Sequence, residues 1–261
     1  MSPSPEVKLK EIAEALQRAR LDKNPIPQFT SQMPDFSLED AYTVQNICRE
    51  SDIGAGLSIA GYKMGLTSKA KQRDVKVFEP ISGYLTDKME LPLGQPMETA
   101  SRIHPRVEPE IAVVMKTAVT GAHRITDLIG ALEFVGPAIE ILDSRYRDFA
   151  FRLPDVVADN TSASGFILGT TNYLNRLDDL PFLGVTLMKN GEVLETGAPA
   201  AVLGNPLISL LQLVQTLEKR NQRLEAGQVV LTGGITASIS VKAADWIEMT
   251  MPSSVIRFPV I

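Results

Sequence analysis

Arg102-Ile-His-Pro-Arg-Val-Glu-Pro-Glu-Ile-Ala-Val-Val-Met115 is the stretch whose reading decides the fold. Residues 107 to 115 are rich in Val and Ile and predict a β-strand. Side chains alternate along a strand, so Glu108 and Glu110 share a face with Ala112 and Val114. Their backbones stand about 6.5 Å apart, from the strand rise. Two carboxylates aimed at a partly apolar surface repel each other and lose hydration. A hard cation such as Mg²⁺ or Mn²⁺ would relieve both costs, because it prefers oxygen ligands. A third carboxylate, Glu140 in Pro137-Ala-Ile-Glu-Ile-Leu-Asp143, is of the same kind. Two readings stand at this point: a metal-holding trio, or the wet face of an edge strand.

Working outward, the chain has 261 residues, ample for one large domain with a sizeable core. It is read as a single catalytic domain, with 1–54 as a helical N-terminal segment and 55–261 as a mixed β core. A net charge of −5 and the lack of a Lys/Arg block argue against a nucleic-acid surface. One cysteine, Cys48, excludes an internal disulfide, and two histidines, His104 and His123, exclude a His-rich metal site. Met1 to Lys10 has no signal-type apolar stretch, and no uncharged apolar run approaches a membrane span. A cytoplasmic, membrane-free protein is expected. A homo-oligomer is left open.

Leu9, Ile12, Ala13 and Leu16 predict a first helix over residues 6–20. Ser37 with Asp40 starts a second, carrying Ala41, Val44, Gln45 and Cys48, the thiol in the core. Ile59 to Met64 is a strand holding Lys63, followed by a solvated basic patch at Lys69, Lys71 and Arg73. Pro80 to Gly83 reads as a turn. Thr126 is expected to cap a helix with Leu128, Ala131, Leu132 and Val135 on one face, stopped by Pro137. Asp143 to Asp148 is a polar loop in which Asp143 and Arg145 would pair. Asn190-Gly191 turns a hairpin, and Asn205-Pro206 opens a helix. Strands over 229–232, 238–241, 247–250 and 255–260 complete an α+β protein with a barrel-like sheet.

No dinucleotide fingerprint, P-loop or nucleophile elbow is present. A metal held by three glutamates would keep positions open for a 2-oxo acid and polarise its keto group. Lys63, between Gly61 and Gly65, is either a pocket ammonium at the enolate oxygen or a surface lysine at a strand end. Gly233-Gly234 either brings backbone amides to an anion or is a plain turn. His104, before a proline, is read as structural.

Five stretches carry a family resemblance: Gly61-Tyr-Lys-Met-Gly-Leu-Thr-Ser68, His104-Pro-Arg-Val-Glu-Pro-Glu-Ile111, Glu140-Ile-Leu-Asp-Ser-Arg145, Val157-Ala-Asp-Asn160 and Leu231-Thr-Gly-Gly-Ile-Thr236. Together they resemble the 4-oxalocrotonate decarboxylases and vinylpyruvate hydratases, inside the fumarylacetoacetate-hydrolase-like group. The resemblance implies a mixed, barrel-like β core with a helical N-terminal region. It implies Mg²⁺ or Mn²⁺ on Glu108, Glu110 and Glu140, and Lys63 in the active site. It implies a small 2-oxo dicarboxylic acid as substrate, in meta-cleavage degradation of catechols, and association of decarboxylase with hydratase. Thr232, Gly233 and Arg145 in the matched stretches, and Ser162 just after Asn160, are implied as substrate-binding positions. Ile81 stands where hydratases tend to carry a water-handling Asp, and Ser68 where they often have His; both favour a decarboxylase, as does the form of Leu231 to Thr236. Two departures are visible. Asn205 replaces the family's His as an equally good cap, and Thr161-Ser-Ala163 replaces Ala-Ser-Ser, leaving Ser162 as the matching hydroxyl. The alternative implied is hydration of 2-hydroxypenta-2,4-dienoate.

Overall fold

The computed structural model describes residues 5–68 and 80–261; the patch expected at Lys69, Lys71 and Arg73 lies outside them. Two helices come first, α1 (Pro5–Asp22) and α2 (Leu38–Gly54). Ser37 closes the start of α2 with the expected box. Its Oγ accepts from the Asp40 amide at 3.1 Å, and its own amide donates to Asp40 Oδ2 at 3.0 Å. Ile12, Ala13 and Leu16 of α1 meet Ala41, Val44 and Cys48 of α2 in a cluster that also holds Ile81, Tyr146 and Val157. The helices therefore pack onto the β core. Asp52 of α2 fastens them: it takes Arg20 of α1 at 2.7 Å and the Tyr84 hydroxyl at 2.8 Å.

The strands are β1 (Ile59–Gly65), β2 (Ile81–Thr86), β3 (Arg106–Met115), β4 (Leu132–Leu142), β5 (Ala163–Leu168), β6 (Val185–Lys189), β7 (Glu192–Gly197), β8 (Val229–Leu231), β9 (Ile239–Ser240), β10 (Trp246–Met251) and β11 (Ser254–Pro259). One sheet runs β2-β1-β8-β3-β4-β5, with β9 beside β3; β1 and β8 are parallel and the other pairs antiparallel. Its end strands β2 and β5 touch, so the sheet is curled. The second sheet, β11-β10-β6-β7, is antiparallel. This is the mixed, barrel-like α+β core the sequence predicts.

Alternation divides the curled sheet by face. Ile111, Val113, Ile139, Ile141, Ile167 and Val230 enter the main core, with Leu187, Ile247, Met249 and Phe258 of the second sheet and Leu210, Leu213 and Val214 of an amphipathic helix at Pro206–Lys219. The other face carries Leu85, Ala112, Ala138, Phe166 and Leu231. Leu85 belongs to β2 and Phe166 to β5, so this smaller cluster lies inside the curl. Glu108, Glu110 and Glu140 share its parity.

Other expectations hold locally. Asn190 and Gly191 have φ of 55° and 81°, the two positive values a tight primed hairpin turn demands. Asn205 Oδ1 accepts from the Leu207 amide at 2.9 Å and caps the helix behind it. Among the described residues no helix is long and apolar enough to cross a membrane.

Two expectations fail. The helix expected from Thr126 covers only Ile125–Ile129, and the chain is strand from Leu132 straight through Pro137. Leu128, Ala131, Leu132 and Val135 satisfy helical spacing, but Val135, Pro137, Ile139 and Ile141 also satisfy period two. Pairing with β3 on one side and β5 on the other decides for strand. The turn expected over Pro80 to Gly83 is already β2 from Ile81, paired with Gly65 of β1.

Candidate metal and substrate site

Strand register gathers the three glutamates. Glu108 stands opposite Glu140 in the β3–β4 pair, and Glu110, two residues on, stands opposite Ala138. One carboxylate oxygen from each lies within 4.8 Å of the others. Glu110 and Glu140 expose no surface and Glu108 only 5%. The wet-edge reading is therefore excluded: β3 is an interior strand and its acids face inward.

The chain closes around these acids with backbone. Gly233 N–H donates to Glu110 Oε2 at 2.7 Å. Gly233 has φ of +119°, and a Cβ there would stand 1.9 Å from Thr67 Oγ1, so only glycine fits. A Cβ on Gly234 would meet the Glu108 carboxyl carbon at 2.5 Å. The glycine pair does bring an amide to an anion, and that anion is Glu110.

Lys63 is buried, not a surface lysine. Its Nζ lies 3.1 Å from Glu140 Oε2 and donates to the Thr161 carbonyl at 3.2 Å. Ile81 stands across from Gly65, and the two side chains Ile81 and Lys63 flank that glycine. A Cβ on Gly65 would be 3.1 Å from Ile81 Cγ1 and 3.9 Å from Lys63 Nζ. Ile81 is thus an apolar wall beside the ammonium.

The Thr161 carbonyl belongs to a costly piece of backbone. Asn160, Thr161 and Ser162 have φ of 49°, 52° and 60°, three successive left-handed residues without a glycine. Each such residue costs on the order of 1–2 kcal/mol. Three neighbours hold the turn: Tyr84, Gly83 and Arg145. Asn160 Oδ1 accepts from the Tyr84 amide and its Nδ2 donates to the Tyr84 carbonyl, both at 2.9 Å. Gly83 makes room, since a Cβ there would stand 2.4 Å from Thr161 Oγ1. Arg145 donates to the carboxylate and carbonyl of Asp159 and to the carbonyl of Asp143. Burial pushes Asp159 up to about 6, against the pull of Arg145.

The expected Arg145–Asp143 pair is absent, because Arg145 is engaged by Asp159. The Asp143 carboxylate accepts instead from the Ile103 and His104 amides, at 2.9 and 2.8 Å, and fixes the approach to β3. Of the positions expected to bind substrate, Ser162 keeps a buried hydroxyl without a hydrogen-bond partner. The Thr232 hydroxyl donates to the Ile111 carbonyl at 2.8 Å, the Gly233 amide is given to Glu110, and the Arg145 guanidinium is engaged on several sides. Thr161, named in the sequence only as part of a departure from the family pattern, also keeps a buried and unpartnered Oγ1. Asp159, the partner of Arg145, has no role assigned from sequence, although it sits in the matched Ala158-Asp-Asn160 run.

The trio suits a divalent cation. Glu110 Oε1 and Glu140 Oε1 are buried with no hydrogen-bond partner, and unpaired hard oxygens are what Mg²⁺ or Mn²⁺ takes. Burial, with the charges of Glu140 and Glu108 beside it, holds Glu110 well above the usual carboxylate range. Burial also pushes Glu140 up to about 7; Lys63 opposes the rise and Glu108 adds to it. A cation there would oppose both shifts, because its charge favours the ionised carboxylates.

No family model matches the chain. It is 42% identical to 4-oxalocrotonate decarboxylase of Pseudomonas putida over 235 residues, 90% of this chain and 89% of that one. It is 39% identical to 2-keto-4-pentenoate hydratase of Burkholderia vietnamiensis over 234 residues, 89% of each. A solved structure of 4-oxalocrotonate decarboxylase from Pseudomonas putida G7, complexed with magnesium and adipate, superimposes with a TM-score of 0.94 at 38% identity. That match covers 100% of this chain and 99% of the other.

Proposed function

The chain belongs to the 4-oxalocrotonate decarboxylase family, and from that premise we propose that it converts 4-oxalocrotonate (2-oxohex-3-enedioate) to 2-hydroxypenta-2,4-dienoate and CO₂ in meta-cleavage degradation of catechols. The observation that carries the reading is the buried trio Glu108, Glu110 and Glu140 with Lys63 against it. Adipate, the ligand of the Pseudomonas putida G7 relative, is a six-carbon dicarboxylate like this substrate.

Loss of CO₂ breaks the bond to the carboxylate remote from the keto group. Its electron pair moves through the intervening double bond to the keto oxygen, which then takes a proton. In our proposal Glu108, Glu110 and Glu140 hold Mg²⁺ or Mn²⁺, and the bound ion supplies Lewis-acid polarisation of the keto group. Lys63, set between Glu140 and the Thr161 carbonyl, holds its proton toward the oxygen that gains charge. Ser162 and Thr161 offer the free hydroxyls for the substrate's own oxygens. Thr232, Gly233 and Arg145 act one step back: Gly233 steadies Glu110, Thr232 the Ile111 carbonyl next to it, and Arg145 the left-handed turn. Ile81 keeps the space beside Lys63 apolar, which disfavours an attacking water.

We treat residues 1–261 as one catalytic unit, the helices of 1–54 packing on the core. The product is the substrate of the hydratase, and we propose a complex between the two. A cytoplasmic location goes with this reading; Cys48, the sole thiol, is buried and unpaired.

The test is a purified, chelator-stripped protein assayed with each substrate, with and without added Mg²⁺. CO₂ release from 4-oxalocrotonate that returns with metal is expected. Consumption of 2-hydroxypenta-2,4-dienoate without CO₂ release would transfer the reading to a hydratase, the alternative that the 39% identity to the Burkholderia enzyme keeps in view.

A further inference from the structure

A six-carbon dicarboxylate has a second charged end, and the trio with Lys63 accounts only for the 2-oxo-acid end. The cations near the inner face are mostly committed. Lys63 lies on Glu140, Arg145 on Asp159, and Arg102 on Ser164 and the Glu98 carbonyl. Arg106 differs. It is on β3, two residues before Glu108, and shares its face. Exposure rises along that face from Glu110 at 0% through Glu108 at 5% to a partly exposed Arg106, so the site opens toward this residue. Among the described residues its guanidinium has no acidic partner. It lies over the Phe149 ring, 4.4 Å from the centroid. The His104 ring packs on the same phenyl at 4.9 Å, with its Nε2 buried and without a partner. Phe149 is itself left-handed, with φ of 56°, after Asp148 at 55°. A strained turn thus delivers the ring that holds both nitrogen groups at the mouth.

We propose that Arg106, backed by His104 and aligned by Phe149, receives the remote carboxylate of the substrate and selects dicarboxylates over monocarboxylates; this rests on the decarboxylase reading. Spacing agrees. One two-residue step on a strand is about 6.5 Å, and a six-carbon chain spans roughly 6 Å between its carboxyl carbons at ordinary bond lengths. The remote carboxylate is also the group that leaves as neutral CO₂. A cation holding it binds the ground state more tightly than the transition state, so Arg106 serves capture and selectivity, not rate.

The test compares Arg106→Met and Arg106→Lys with wild type in the full chain with saturating Mg²⁺. Met keeps the apolar stem on Phe149 and removes the charge. For Arg106→Met, KM for 4-oxalocrotonate should rise about tenfold or more while kcat holds or increases. Inhibition by adipate should weaken by a similar factor, and inhibition by 2-oxopentanoate, which lacks the second carboxylate, should change less than twofold. Arg106→Lys should regain most of the adipate affinity. An unchanged KM, a fall in kcat as the main effect, or equal weakening of both inhibitors overturns the proposal. Wild-type protein that releases no CO₂ would instead remove the decarboxylase reading beneath it, whatever the variants do.

Discussion

Gly234→Ala tests the geometry of the trio without deleting any ligand. The added Cβ would stand 2.5 Å from both Cδ and Oε2 of Glu108, and 2.8 Å from Oε1. Ordinary contact begins near 3.4 Å, so the carboxylate would have to retreat by roughly 0.9 Å. Gly234 is not in the left-handed region, so the substitution adds no backbone strain of that kind. Its effect is a push on one carboxylate. Overpacking of this order costs about 1–3 kcal/mol, and misplacing one metal ligand weakens binding by roughly tenfold to hundredfold, as loss of an orienting partner does. Calorimetric titration of Mg²⁺ into chelator-stripped protein reads the affinity, and a thermal melt reads the packing cost. Gly184→Ala is the control, because nothing lies within 4 Å of its Cβ position and its φ is unexceptional. Excess Mg²⁺ should restore much of the lost activity, since Glu108 is still present. A Gly234→Ala protein that binds Mg²⁺ within twofold of wild type and melts at the same temperature would refute the placement of Glu108 in the metal site.

Glu110→Gln should abolish tight Mg²⁺ binding yet raise the melting temperature of the metal-free protein at neutral pH, because it removes an ionisable group whose charged form burial and two neighbouring acids disfavour; a lower metal-free melting temperature would count against it. Metal-free protein should also lose stability as pH rises. Glu140 is pushed from 4.5 up to about 7, so the folded state binds more protons than the unfolded one between those values, and its stabilisation fades as pH climbs through that window. Saturating Mg²⁺ should shrink this slope without erasing it, because Asp159, raised to about 6, acts with the same sign; melts across pH with and without metal decide. Lys63→Met should cut CO₂ release by about a hundredfold or more. It should leave Mg²⁺ affinity no weaker, since a neighbouring positive charge is gone; joint loss of metal binding and activity would deny Lys63 a separate role.

The acids were legible because period two is a strong local signal: Glu108 and Glu110 must share a face once residues 107–115 form a strand. That Glu140 stands opposite Glu108 is a matter of register, fixed by long-range pairing between β3 and β4, which no local pattern encodes. The expected helix after Thr126 failed for a related reason, since one stretch satisfied both periods and the neighbouring strands chose. Arg145 was matched to Asp143, two residues away, whereas its partner Asp159 arrives from a later loop. The left-handed run at 160–162 was hidden because backbone sign is weakly written in residue type. Asn adopts it readily, but Thr161 does so only because Gly83, Tyr84 and Arg145 leave it no alternative.

Where the molecule tolerates imperfection is itself informative. Among the described residues, buried polar side-chain atoms without a partner fall largely on Glu110, Glu140, Thr161 and Ser162, with His104 at the mouth. Each such atom costs about 1–3 kcal/mol relative to a satisfied one, and the three left-handed residues beside them add more. A fold optimised only for packing would lose these groups to apolar ones of similar size. Here they sit next to a tightly bonded frame: Arg145 on Asp159, Asn160 on the Tyr84 backbone, and Gly233 on Glu110. The frame limits how far the unpaired atoms can relax, and on the proposed reading the carboxylates and the two hydroxyls face one substrate space. An ion and a dicarboxylate entering that space would find their partners already fixed, and little reorganisation would remain to oppose binding.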